Sequence, residues 1–127
     1  MTIYISQGRY TAAAIKGMST HPEDRSEAVS ELFTAAGCKL IGWYMTLGKY
    51  DWLIIAEAPD ETTMISAVLA AAGGGSLTDT TTTVAMTSRE SVECFRRAGT
   101  LAQKFRSAGQ ADYYGVGVAN RREAAEP

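Results

Sequence analysis

Residues 39–60, KLIGWYMTLGKYDWLIIAEAPD, constrain this chain more than any other stretch. Two runs rich in β-branched and aromatic residues flank the bend LGKYD, the pattern of two strands joined by a hairpin. An antiparallel sheet with one wet face alternates apolar and polar side chains. Here strict alternation puts Ile41, Trp43 and Met45 on one side of the first strand and Leu40 and Tyr44 on the other. In the second strand, Trp52 and Ile54 oppose Leu53 and Ile55. Neither face is polar, so both need a cover.

The rest of the chain supplies one of those covers. Thr2–Gly8 reads as strand one, and Pro59-Asp60 opens a helix with apolar positions at Met64, Ile65, Val68, Leu69 and Ala72. Gly73-Gly74-Gly75 stops it. Thr78–Met86, TDTTTTVAM, is strand four. An earlier helix is expected to start at Thr20-His21-Pro22-Glu23, which has capping-box spacing. It would carry Ala28, Val29, Leu32, Phe33 and Ala36 inward and end at Gly37. The segment RYTAAAIKGMS before it is weakly patterned and reads as a loop with a helical turn. Ser88 to about Ser107 forms a further helix with a stripe of Val92, Phe95, Gly99, Ala102 and Phe105.

The order is β-α-β-β-α-β, which predicts an α+β, ferredoxin-like antiparallel sheet with two helices on one face, plus a C-terminal helix and tail. Three parts follow: a domain over 1–87, a helix over 88–108 packing on the domain or a partner subunit, and a tail over 109–127. Two helices cover one sheet face. The other is expected to pack against a second copy, making a homo-oligomer through the helix-free face.

Composition excludes several functions. In 127 residues, 12 Lys and Arg stand against 14 Asp and Glu, a net charge of −2. That leaves no excess of positive charge to neutralise phosphates, so no nucleic-acid partner is expected. No apolar run approaches the ~20 residues of a membrane span, and the opening MTIYISQGRY is not that of a secretory signal. A cytoplasmic protein is expected, with Cys38 and Cys94 as reduced core thiols. Two cysteines make no disulfide framework, and the scattered acids have no metal-ligand spacing. GGGS lacks the lysine of a phosphate loop. No cofactor or metal is expected.

The hairpin YMTLGKYDWLIIAEAPD resembles the signature of the GYD domain family, whose Gly-x-Tyr-Asp turn would here be Gly48, Lys49, Tyr50 and Asp51. The resemblance extends over about residues 2–87, through the helix entry at Pro22 and the EAPD close at Glu57–Asp60. It implies a ferredoxin-like subunit similar to the dimeric α+β barrel proteins. It implies no particular reaction.

Ferredoxin-like topology gathers the candidate site residues. The exit of strand one, the following helix entry, the hairpin and the glycine turn share one end of the sheet. Tyr10, His21, Lys49, Tyr50, Asp51 and Gly73–Gly75 should therefore form one rim, suited to an anionic ligand. His21 and Asp51 are the candidates for moving a proton; Tyr4, Tyr10, Trp43, Tyr44, Lys49 and Tyr50 are the candidates for contacting a ligand. Each also has an architectural explanation. Gly48 serves a turn that needs positive φ, Asp51 can bond the turn backbone, and Tyr50 can pack beside Trp52 or Tyr10.

Three functions fit. The first is a homo-oligomer binding a small organic, anionic or aromatic ligand between sheet and helices. The second is a cofactor-independent oxygenase or isomerase acting on an aromatic or polyketide-like metabolite, by analogy of fold. The third is a structural assembly protein.

Overall fold

The computed structural model describes residues 1–109. They form two compact units, divided at Met86/Thr87.

The first unit is an α+β, ferredoxin-like domain. Its elements are β1 (Thr2–Tyr10), α1 (Ala12–Thr20), α2 (Ser26–Ala36), β2 (Lys39–Met45), β3 (Trp52–Ala58), α3 (Glu61–Ala72) and β4 (Leu77–Ala85). The strands lie in the order β2-β3-β1-β4 with every neighbouring pair antiparallel. β1 and β2 therefore run one way, β3 and β4 the other.

Alternation along the central strands fixes the core. Tyr4, Ser6 and Gly8 of β1 and Trp52, Ile54, Ala56 and Ala58 of β3 are buried. They meet Phe33 of α2 and Met64 and Ala67 of α3. Trp52, Phe33 and Met64 are the largest fully buried side chains, and removing the apolar surface of each from water contributes about 1.5–3 kcal/mol. The small residues Ala56, Ala58 and Ala67 let α3 approach the sheet. Ser6, the one buried polar residue among those described, shares a hydrogen bond with Thr82 of β4 (3.0 Å).

Strand two departs from strict alternation. Leu40 pairs with Ala56 and Gly42 with Ile55, so an extra residue, Ile41, is accommodated as a bulge. The bulge brings Leu40 and Trp43 onto the same, helix-covered side, where both pack on the core. Tyr44, opposite Leu53, lies on the other face and is exposed. That face also carries Ile3 and Ile5 of β1 and Ile55 of β3, all half-buried.

Between β1 and α2 the helix boundaries differ from the sequence expectation. RYTAAAIKGMS does not form a loop: it contains a nine-residue helix, α1, capped by Thr11, whose hydroxyl accepts the Ala14 N–H (3.1 Å). Three consecutive alanines favour helix strongly enough to outweigh the missing apolar stripe. Thr20 consequently ends a helix instead of starting one, its hydroxyl donating to the Lys16 carbonyl. The expected capping box with Glu23 does not form. α2 begins later, at Ser26, after an Asp24 carboxylate that accepts the Ser26 N–H (2.9 Å). Its C-terminus is as expected, with Gly37 at φ 96°. α3 starts on Asp60, which accepts from Thr63 N (2.8 Å). Its Met64 and Ala67 point inward, but Ile65 and Leu69 are exposed.

The second unit holds α4 (Ser88–Ala102), which ends before the expected Ser107 and leaves Phe105 outside the helix. Thr87 and Glu90 form a reciprocal capping box, each side chain accepting the other's backbone N–H. Val92, Phe95 and Leu101 are exposed apolar residues on this helix, Cys94 is exposed and not the core thiol expected, and Glu93 pairs with Arg96 and Arg97. The tail expected beyond it lies, from residue 110, outside the described residues.

Candidate functional site

The LGKYD bend is stitched to the exit of β1. Thr46 N–H donates to the Asp51 carbonyl (2.8 Å) and Thr46 Oγ1 donates to the Tyr50 carbonyl (2.8 Å), closing the hairpin. Gly48, at φ 134°, takes the conformation that side chains avoid. Asp51 N–H then donates to the Gly8 carbonyl (2.8 Å), and the Asp51 carboxylate accepts Tyr10 N–H (2.9 Å). Arg9 Nη1 adds a bond to the Lys49 carbonyl (3.1 Å). Lys49 is exposed, its ammonium 5.6 Å from the centre of the Tyr50 ring.

One residue further on, Thr11 ties the same end of the sheet to the glycine turn after α3. Its N–H donates to the Ser76 carbonyl (3.0 Å) and its hydroxyl to the Gly75 carbonyl (2.9 Å). Gly75 has φ 86°, so the turn depends on glycine there.

Beside this stitched edge, between the helices and the sheet, is a cavity of about 580 Å³. Its floor is Tyr10, Trp43, Trp52, Ile54 and Leu77 from the strands. α1 supplies a wall of small residues, Ala13, Ala14 and Gly17, with Met18. α2 contributes Val29, Leu32 and Phe33, and Gly74, Gly75 and Ser76 close the far side. His21, Glu23 and Arg25, from the link between α1 and α2, are the polar group on it. Arg25 and Glu23 pair at 2.8 Å and both remain about half exposed. The cavity follows from α1: no residue of that helix is fully buried, so its alanines and glycine leave space over the aromatic floor.

Two features of the floor bear on what could bind. Trp52 is 2% exposed, and its Nε1 is buried without a hydrogen-bond partner. The Tyr10 phenol is held protonated beyond its ordinary range by burial first and the nearby Asp51 carboxylate second, with Arg25 pulling the other way.

The structure distributes the sequence candidates unevenly. Tyr10, His21 and Trp43 line the cavity. Gly74 and Gly75 do as well. Lys49, Tyr50 and Asp51 stand at the adjoining edge and do not line it. Tyr4 is buried in the core beside Cys38, and Tyr44 is on the opposite face of the sheet. Sequence reasoning missed Arg25, Trp52 and the α1 residues. The signal for α1 was present in Thr11 before three alanines; nothing in the sequence marks Arg25. Among the described residues, no group of three or more His, Cys, Asp or Glu is placed to hold a metal ion. No helix of the described residues is long and apolar enough to cross a membrane.

A family model for the GYD domain matches residues 4–95. The chain belongs to the GYD domain family. The match takes in the hairpin, the aromatic floor and every element that borders the cavity, and it ends within α4. No curated protein matches the chain. A solved structure similar to this GYD protein is the crystal structure of FFRP-DM1, at 15% identity and a TM-score of 0.45, covering 68% of this chain and 100% of that one.

Proposed function

We propose that this GYD-domain protein binds a small, largely apolar organic ligand in the cavity between sheet and helices. The observation that carries this reading is the cavity itself: about 580 Å³, floored by two tryptophans and a tyrosine and bordered by an Arg and a His. Small-molecule sites are usually concave, mostly apolar spaces of 300–1,000 Å³ with a few polar groups, and aromatic floors favour flat ligands. Arg25 and His21 suit a ligand with a polar or anionic end. Of the two residues suggested for proton transfer, His21 borders the cavity and Asp51 does not, so the reading is one of binding and not of turnover.

The protein is further proposed to act as a homo-oligomer through the helix-free sheet face. Ile3, Ile5, Leu53, Ile55 and Tyr44 support this, because α1, α2 and α3 all lie against the other face. A contiguous apolar surface of this kind is characteristic of an interface.

The test of binding uses the two tryptophans, both on the cavity floor, as reporters. Titration with 1-anilinonaphthalene-8-sulfonate should quench their emission in a saturable way. Gly17→Leu should weaken that binding several-fold, since a Cβ at Gly17 meets nothing within 4 Å and leucine favours the helix. Equal binding by both forms would place the probe elsewhere and remove the proposal.

A further inference from the structure

Besides the two indoles, the polar side chains on the cavity wall are Tyr10, His21, Glu23, Arg25 and Ser76. Of these, Arg25 alone carries a positive charge at any working pH. Its partner is Glu23, through Nη1 and Oε2 at 2.8 Å. One contact of that kind leaves the greater part of a planar, many-donor guanidinium for another acceptor. The Arg25 and Glu23 side chains are 47% and 58% exposed, so the pair stands where the cavity meets solvent. An ion pair this open is held weakly.

The start of α2 does not use the Arg25 side chain, which occupies the N-cap position without making a capping bond. Its charge reaches the Tyr10 phenol instead, where it opposes the effects of burial and of the Asp51 carboxylate. The guanidinium therefore acts on the aromatic floor as well as on Glu23. A single cation already shared with an acid balances a monoanion at most. A dianionic phosphate ester would be left short of positive charge.

We infer that the ligand is an aromatic monocarboxylic acid, that Arg25 selects its carboxylate, and that Glu23 is the resident competitor for the same guanidinium. The inference rests on the cavity reading above and adds the ligand's class and the means of its selection. Trp43, Trp52 and Tyr10 hold the ring. The carboxylate lies at the solvent edge, where its planar shape matches the guanidinium fork. Because that edge is half exposed, the acid keeps part of its hydration and avoids the cost of a buried charge.

Two probes of one shape test this: 2-naphthoate, and 2-naphthamide, in which an NH2 group replaces one carboxylate oxygen. In equilibrium dialysis at neutral pH and low ionic strength, the native protein should favour the acid, and added salt should erode that preference. Arg25→Gln should lower the ratio of acid to amide affinity about five- to tenfold. Glu23→Gln should raise affinity for the acid about threefold and leave that for the amide unchanged. Both side chains are exposed enough for each variant to keep the native melting temperature. Should Arg25→Gln misfold, the native preference and the Glu23→Gln shift decide. If the native protein favours the amide, or the ratio is unmoved in Arg25→Gln, Arg25 does not select the ligand while the cavity still binds one. Acid affinity unmoved by Glu23→Gln would remove Glu23 as a competitor. If neither probe binds, the cavity reading falls and the inference with it.

Discussion

The Asp51 carboxylate accepts the backbone N–H of Tyr10 at 2.9 Å, across 41 residues of sequence. This bond, beside that from Asp51 N–H to the Gly8 carbonyl, makes the GYD turn a clamp on the last residues of β1. It also fixes the backbone of Tyr10, which is part of the cavity floor. The Asp of the signature is therefore architectural in its contacts, and reaches the cavity only through Tyr10.

That relationship predicts a difference between two substitutions. Asp51→Asn keeps an oxygen for Tyr10 N–H and should change stability by less than about 0.5 kcal/mol. Asp51→Ala leaves the N–H without its partner and should cost about 1–2 kcal/mol in urea unfolding. Asp51→Asn should also lower the titration midpoint of the Tyr10 phenol, because the Asp51 charge is one of the causes that raise it. A Tyr10 midpoint unmoved in NMR titration of Asp51→Asn would disconnect the two groups.

Gly48→Val should destabilise the domain by more than about 1 kcal/mol, while Lys49→Ala should change it little. Nothing lies within 4 Å of a Cβ at Gly48, so the strain comes wholly from φ 134°, which a β-branched residue resists. Lys49→Ala loses an exposed cation–ring contact and leaves the Lys49 carbonyl in place for Arg9. Equal melting temperatures would show that the turn relaxes around the new side chain.

Gly8→Ala differs in mechanism: the backbone tolerates alanine, but the methyl group meets the indole of Trp52 at 2.4 Å. An indole buried to 2% exposure has nowhere to yield. The cost should be about 1–3 kcal/mol, as for overpacked cores, with a changed tryptophan emission. A native spectrum and native melting temperature would mean that the floor of the cavity is softer than its packing indicates.

How far the sequence carried the fold depended on pattern strength. β3 was legible because Trp52, Ile54, Ala56 and Ala58 alternate without a break, and α3 because Asp60 caps it and three glycines stop it. β2 was misassigned by face, since the bulge at Ile41 places Leu40 and Trp43 together, and Gly42, a glycine inside the strand, was its one mark in the sequence. α1 is longer than the helical turn expected there, because alanine carries helix propensity without an amphipathic stripe. The cavity was hidden for the same reason: it exists where α1 lacks large side chains, and space is not written in any single residue. The rim at the end of β1 was deducible from topology, but topology could not separate Tyr10 and His21, which border the cavity, from Lys49 and Tyr50, which do not.

Asp60 sets part of the pH dependence. Its carboxyl is held below the usual carboxylate range by hydrogen bonds from the Thr63 side chain first and the Thr63 backbone second, at the start of α3. A lowered folded-state value means that the unfolded chain binds the proton more readily, so this stabilisation is present above the ordinary carboxylate range and fades as pH falls through the lowered value. Asp24 behaves alike through Ser26. Asp60→Asn, which caps nearly as well, should leave stability at pH 7 almost unchanged and make the acid limb below about pH 4 shallower. An acid limb as steep as the native one would remove Asp60 from the account.

The last prediction concerns the face that α1, α2 and α3 leave free. Tyr44 is 56% exposed there, opposite Leu53 and across the sheet from the cavity, so changing it disturbs neither core nor floor. If a second copy packs on this face, Tyr44→Glu places a charge in a desolvated contact, where an unpaired charge costs several kcal/mol. The variant should sediment as a 13.6 kDa monomer under conditions where the native protein does not, with an unchanged tryptophan spectrum and unchanged probe binding. Gly42 supplies the control. It lies on the same strand, and an added Cβ there meets the Tyr44 ring at 2.8 Å, so Gly42→Ala should shift the ring and weaken association without adding charge. A native protein that is itself a monomer at micromolar concentration would refute the interface. An oligomer unaffected by Tyr44→Glu would move it to another surface, and the apolar face would need a different partner.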